Sequence, residues 1–143
     1  MYRRILIPTD GSARSDAAID MGVKLAKNLG AEVTVLHIVP KIPQYAQLDY
    51  SGASYRAFTE ELEKFGEQML LLVEEKYFDS GLKLETKLCK GNPSHEICLE
   101  AKEGRYDLIV MGSRGLGEVK GFLMGSVSSK VVKHADCPVL IVK

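Results

Sequence analysis

Four short runs are apolar almost without interruption: Ile5-Leu6-Ile7, the stretch from Val33 to Val39, Leu108-Ile109-Val110-Met111, and Val139-Leu140-Ile141-Val142. A strand with one wet face alternates polar and apolar residues, whereas a strand covered on both faces does not. Segments with helical periodicity separate these runs, and that alternation implies a parallel sheet with helices on both faces, joined by right-handed crossovers. The predicted fold class is α/β, a doubly wound sheet of five parallel strands and four helices, and residues 1–143 are predicted to form a single domain.

The first run leads into Pro8-Thr9-Asp10-Gly11-Ser12, a turn composition. From Ser12 to Leu29 two rows, Ala17-Met21-Leu25 and Ala18-Gly22-Ala26-Leu29, predict a helix with an apolar face, closed by Gly30. Val33, Val35, Leu36, Ile38 and Val39 predict the second strand, ended by Pro40. Residues 40–54 carry two prolines and no clean period, and read as a long loop. A long amphipathic helix is expected from Tyr55 to Phe78, with Phe58, Leu62, Phe65, Met69 and Leu72 on its buried side. That spacing makes Phe65 and Met69 core residues without chemistry.

Leu82, Leu84, Thr86 and Leu88 alternate with charged residues, which predicts a third strand at a sheet edge. Asn92 and Pro93 predict the start of a helix that buries Ile97, Cys98 and Ala101 and stops at Gly104. The fourth strand spans Tyr106 to Met111. A last helix from about Ser126 to His134 precedes the fifth strand at Pro138 to Lys143.

Nineteen basic side chains balance nineteen acidic ones, so the whole molecule has no electrostatic reason to seek nucleic acid or an anionic membrane. Residues 112–143 are locally basic, with five Lys or Arg against two acids. Cys89, Cys98 and Cys137 form no CxxC pair, which argues against a disulfide framework or a structural zinc site and fits a reducing compartment. His37, His95 and His134 lack ligand spacing, so no metal held by protein side chains is expected. Met1 to Ile5 leads into strand-like sequence rather than a signal peptide, and no apolar run reaches membrane-spanning length. The expectation is a cytoplasmic protein.

The chemistry concentrates where the fourth strand ends. Met111-Gly112-Ser113-Arg114-Gly115 is followed, after nine residues, by Gly125-Ser126-Val127-Ser128. Glycines let backbone amides approach a ligand, and a helix starting at Ser126 adds unpaired N–H groups and a positive dipole end. This combination suits phosphate. In a doubly wound sheet ligands bind beyond the carboxyl ends of the strands where the winding reverses, which brings Pro8, Thr9 and Asp10 into the same crevice if the first and fourth strands are neighbours. The sequence has no GxxxxGK[ST], and Gly115-Leu116-Gly117 is followed by a glycine one place too late for GxGxxG.

The pattern G-x2-G-x9-G-S, with Pro8-Thr9-Asp10-Gly11-Ser12 at the first strand and Cys137-Pro138-Val139-Leu140-Ile141-Val142 at the last, resembles the universal stress protein family over essentially the whole chain, and the glycine pattern resembles the ATP-binding branch of that family. The resemblance implies strand order 3-2-1-4-5 with nucleotide between strands one and four. It implies Asp10 beside the adenosine or ribose, Val39 offering backbone groups to the adenine edge, and Gly112, Gly115, Gly125, Ser126 and Val127 along the phosphate path. Ser128 then stands near the terminal phosphates, with Mg²⁺ held mainly by the phosphate oxygens.

Plainer readings accompany these roles. Arg114 and Lys120 are candidates to pair with the phosphates, but Asp10 as a cap of the first helix, the glycines as turn formers, Ser126 as an N-cap, and Arg114 and Lys120 as solvated loop cations are each also consistent with the sequence. The leading functional expectation is an ATP-binding stress-response or regulatory module. The alternative is a slow ATPase or nucleotide-dependent transferase, although the related pyrophosphatase-type ATP enzymes carry an SGGxDS loop after strand one where this chain has Pro8-Thr9-Asp10-Gly11-Ser12. Protein-proportional phosphate release that an Asp10→Ala change removes is the mark of that alternative. The apolar fifth strand, with no later element to cover its edge, predicts a two-fold homodimer along Val139 to Val142, as the resemblance also implies.

Overall fold

The computed structural model describes residues 1–42, 52–115 and 124–143. Among them the chain runs β1 (Arg4–Pro8), α1 (Ala13–Leu29), β2 (Glu32–Pro40), α2 (Gly52–Tyr77), β3 (Leu84–Gly91), α3 (Pro93–Glu103), β4 (Leu108–Gly112), α4 (Ser126–His134) and β5 (Val139–Val142), with a 3-10 turn at Phe78–Ser80 after α2. All strand pairs are parallel and the order is β3-β2-β1-β4-β5. The winding therefore reverses between β1 and β4, where Ile5 pairs with Leu108 and Leu6 with Ile109.

The period of two along β1 builds two cores. Ile5 and Ile7 face α1 and α2, packing with Ala18, Ile19, Val23, Leu70 and Val73. Leu6 faces the other way, with Ile97, Ala101 and Val131 of α3 and α4. All three β1 side chains have no exposure, and each such burial contributes about 1.5–3 kcal/mol relative to exposure. Edge strand β3 alternates half-buried and exposed residues as expected, but it begins at Leu84 rather than Leu82 and extends to Gly91.

Caps follow the sequence reading at two helices. Gly30 closes α1 in the left-handed region, its N–H donating to the Ala26 carbonyl. Asn92 caps α3 by accepting from the His95 N–H at 3.2 Å.

The helix faces depart from expectation in instructive ways. On α1 the row Ala18, Gly22 and Ala26 is buried, joined by Ile19 and Val23, whereas Ala17 is exposed and Met21 and Leu29 are nearly half exposed. The helix sits so close to the sheet that a Cβ on Gly22 would fall on Ile7 Cδ1. The row of smallest residues lies at the closest approach, flanked by buried Ile19 and Val23.

α2 repeats the lesson. It begins at Gly52, inside the stretch expected to be loop, and residues 43–51 of that stretch lie outside the described residues. Its buried residues are Gly66, Leu70 and Val73, while Phe58, Phe65 and Leu72 are 43%, 51% and 66% exposed. A Cβ on Gly66 would stand 2.6 Å from His37 Cδ2 and 2.8 Å from Leu88 Cδ1. The helix thus touches the sheet through a glycine, and the larger apolar row is turned aside. Of the expected row, Leu62 and Met69 are half-buried, and only Phe58, Phe65 and Leu72 are exposed.

The middle of α1 is tied to the C-terminal end of α2 by Asp20, whose Oδ1 accepts from the Tyr77 hydroxyl and from Lys76 Nζ. The Tyr77 hydrogen bond, followed by that of Lys76, holds the Asp20 carboxyl below the usual carboxylate range. A lowered folded-state pKa stabilises above the ordinary value, and the contribution is lost as pH falls through the folded one. Asp20→Asn is therefore expected to lower Tm by a constant small amount from about pH 8 to about pH 5, corresponding to less than ~1 kcal/mol for a half-exposed pair, and the gap should close on further acidification. Thermal melts across pH check this, and a gap that widens in acid contradicts it. No helix among the described residues is long and apolar enough to cross a membrane.

Candidate functional site

The carboxyl ends of β1, β2 and β4 and the start of α4 surround a cavity of about 360 Å³. β1 supplies Pro8, and the loop after it supplies Thr9 and Asp10. Thr9 is pinned on every side. Its N–H donates to the Leu36 carbonyl at 2.8 Å, its carbonyl accepts from His37 Nδ1 at 2.8 Å, and its hydroxyl pairs with Ser15 Oγ at 3.0 Å. A carbonyl can only accept, so His37 carries a proton on Nδ1.

Beyond Thr9 the chain turns at Gly11 (φ +84°), where a Cβ would stand 2.8 Å from Met69 Sδ and 3.3 Å from Phe65 Cζ. Glycine is required there twice over, for its backbone and for its lack of a side chain. Ser12, not Asp10, is the N-cap of α1, accepting from the Ser15 N–H at 3.2 Å. Asp10 Oδ1 accepts from the Ser12 N–H at 2.9 Å. The carboxylate is thus held by its own turn, with Oδ2 set against Gly115, where any Cβ would overlap it. The β1 and β4 loops meet at this contact.

β4 ends in Met111 and Gly112 and hands over to Ser113, a buried residue whose N–H donates to the Val142 carbonyl at 3.0 Å. The Ser113 carbonyl accepts from the Gly125 N–H at 2.7 Å and from Ser128 Oγ at 2.6 Å. The N-cap of α4 is Gly125 rather than Ser126, and Ser128 Oγ reaches back to accept from the Gly125 N–H at 3.0 Å. The buried Ser128 hydroxyl therefore docks the start of α4 on the end of β4, while Ser126 occupies the first helical position.

Arg114 lines the cavity, and its buried Nε finds no hydrogen-bond partner among the described residues. A buried guanidinium donor without an acceptor is costly, and an anion in the cavity is the natural way to satisfy it. Asp10, Arg114 and the first turn of α4, with the apolar side chains that line the same cavity, suit a flat, largely apolar body that carries hydroxyl groups and an anionic tail.

The structure brings Pro8, Thr9, Asp10, Val39, Met111, Gly112, Arg114, Gly115, Ser126, Val127 and Ser128 to this one cavity, with Gly125 as the cap beside it. Lys120, Gly117 and Gly121 lie outside the described residues. The sequence reading missed His37, Ile38, Leu62, Phe65, Pro93 and Ile97 on the cavity wall. His37 had a signal, as a polar residue near the carboxyl end of β2, a strand whose other buried side chains are apolar apart from Thr34. Leu62 and Phe65 had none, because their period assigned them to the core.

Burial pushes the thiols of Cys89, Cys98 and Cys137 up, which keeps them protonated and poorly nucleophilic at neutral pH. Among the described residues no cluster of His, Cys, Asp or Glu has the arrangement to hold a metal ion.

The universal stress protein family model matches residues 1–143. A universal stress protein of Methanocaldococcus jannaschii is 37% identical over 143 residues, covering all of this chain and 83% of the relative. Universal stress protein YxiE of Bacillus subtilis is 37% identical over 148 residues, covering both chains fully. Among solved structures, universal stress protein UspA from Lactobacillus plantarum superposes with a TM-score of 0.84 at 28% identity, covering 99% of this chain and 98% of that one. A universal stress protein in complex with cAMP gives a TM-score of 0.74 at 26% identity over 99% of this chain and 97% of that one.

Proposed function

The chain belongs to the universal stress protein family, and from that premise we propose that it is an ATP-binding regulatory protein of the stress response, working in the cytoplasm as a nucleotide-dependent homodimer. Binding of an adenine nucleotide is the core of the reading, supported by the neighbour that carries cAMP. The observation that carries it is the buried Arg114 Nε, without a hydrogen-bond partner among the described residues, beside the contact of Asp10 with Gly115.

In this reading Val39 and the neighbouring wall receive the adenine, and Asp10 takes the ribose hydroxyls. Gly112, Arg114, Gly115, Gly125, Ser126 and Val127 border the phosphates, and Ser128 holds the helix start that faces them. Mg²⁺, bound mainly by phosphate oxygens, lowers their charge. The β1 and β4 loops already meet at Asp10 and Gly115, and a ligand that prefers this joined arrangement shifts the population further toward it.

A ligand that binds only the folded state raises stability by RT ln(1 + [L]/Kd), about 2.7 kcal/mol at a hundredfold excess over Kd. Millimolar Mg-ATP is accordingly expected to raise Tm by several degrees and to give saturable heat in calorimetry. Silence in both measurements removes the nucleotide reading. Equal shifts from AMP and from ATP, with or without Mg²⁺, keep the adenine nucleotide and remove the specific claim for Mg-ATP.

A further inference from the structure

His37 is buried on β2, a strand that otherwise buries apolar side chains and Thr34, and it stands at the junction of three elements around the cavity. Its Nδ1 donates to the Thr9 carbonyl at 2.8 Å, the peptide that leads into Asp10. Its ring meets Phe65 of α2 edge-on, with centroids 6.4 Å apart and planes at 75°. Its other edge lies under Gly66, close enough that a Cβ there would stand 3.2 Å from Nε2. A core filler at this position would need only shape. This residue instead directs a donor at the one carbonyl that fixes where Asp10 begins.

We propose that His37 is a positioning residue for the nucleotide site, acting through Thr9 to hold the Asp10 carboxylate against Gly115. The inference rests on the nucleotide reading and adds to it a residue that neither the glycine motif nor the Asp10 turn contains. The physical argument is one of geometry. Asp10 Oδ1 is fixed locally by the Ser12 N–H at 2.9 Å, but that bond orients the carboxylate within its own turn and says nothing about where the turn sits relative to the sheet. Thr9 sets that position. Its N–H is bound to Leu36 of β2 and its carbonyl to His37 of the same strand, so both backbone groups of Thr9 are read by β2. Removing the second bond leaves a buried carbonyl unpaired and lets the peptide plane into Asp10 rotate.

Two variants separate a donor role from a filling role. His37→Asn keeps an N–H donor near the Nδ1 position but gives up ring volume, and His37→Phe keeps the ring but has no donor. ATP affinity by calorimetry is expected to stay within threefold of wild type in H37N and to fall at least tenfold in H37F. Mg-ATP binding to the wild-type chain is measured first, since its failure sinks the nucleotide reading and this inference with it. With wild-type binding in hand, an H37F protein that binds like wild type overturns the positioning role, and so does a folded H37N protein that loses tenfold. Should H37F fail to fold, H37N alone decides, retention supporting the role and a tenfold loss ending it.

Discussion

Replacing Gly115 with valine is expected to weaken ATP binding at least a hundredfold while leaving Tm within a few degrees of wild type. The position has no room for a Cβ, because Asp10 Oδ2 occupies it. A valine therefore pushes the carboxylate aside or lifts the β4 loop away from it, and either movement opens the contact that joins the two halves of the crevice. The loss combines a charge-assisted hydrogen bond to the ligand, worth about 1.5–3 kcal/mol, with displacement of Arg114 next door. A hundredfold corresponds to about 2.7 kcal/mol, so the first loss nearly suffices. The fold is spared because Gly115 lies beyond β4, outside both hydrophobic cores. Calorimetric titration of the variant, with a melt to confirm folding, is the check. A Gly115→Val protein that binds ATP with wild-type affinity would falsify the cradle.

What the sequence disclosed, and what it withheld, follows from how far each signal reaches along the chain. The strands were legible because burial on both faces leaves no polar alternation, as in Leu108 to Met111. Caps at Gly30 and Asn92 were legible because they are chosen by bonds within a few residues. The order of the strands came from the family resemblance, not from the periodicity.

Helix faces were the failure. Period alone favours the row with the most apolar surface, Phe58, Phe65 and Leu72, yet the sheet selects the row that permits close approach, and on α2 that row contains Gly66. The same selection explains why Met21 is exposed above a buried Gly22. Recognising a glycine as a contact point requires knowing what lies opposite, and His37 and Leu88 are distant in sequence from Gly66. The motif residues of the site were readable because glycine spacing is local. The wall residues Leu62, Phe65 and Ile97 were not, because they reach the cavity from helices on opposite faces of the sheet. Neither Asp10 nor Ser126 is a helix cap: Ser12 and Gly125 hold the two N-cap positions.

The strand-five edge offers the other large effect. Among the described residues β5 pairs only with β4, and its residues Val139 to Val142 are half-buried except for Leu140, which is 39% exposed. The carbonyls of Pro138 and Val142 accept from Ile109 and Ser113, so even-numbered residues direct their backbone groups at β4. Backbone direction alternates along a strand, and Val139 and Ile141 therefore present N–H and C=O to the open side. An apolar edge with donors and acceptors in place is a template for another strand, and it lacks the inward charge or bulge that blunts a solitary edge. Pairing with the same edge of a second copy around a two-fold axis satisfies both groups at once. Light scattering of the wild-type chain at micromolar concentration is expected to give twice the mass of one chain. Ile141→Pro deletes an outward N–H without touching a bond to β4, and Leu140→Lys puts a charge on the exposed apolar position while sparing the core. Each is expected to halve the measured mass with little change in the far-ultraviolet spectrum. A wild-type chain that is monomeric, or a dimer that both substitutions leave intact, rules out this edge as the joint.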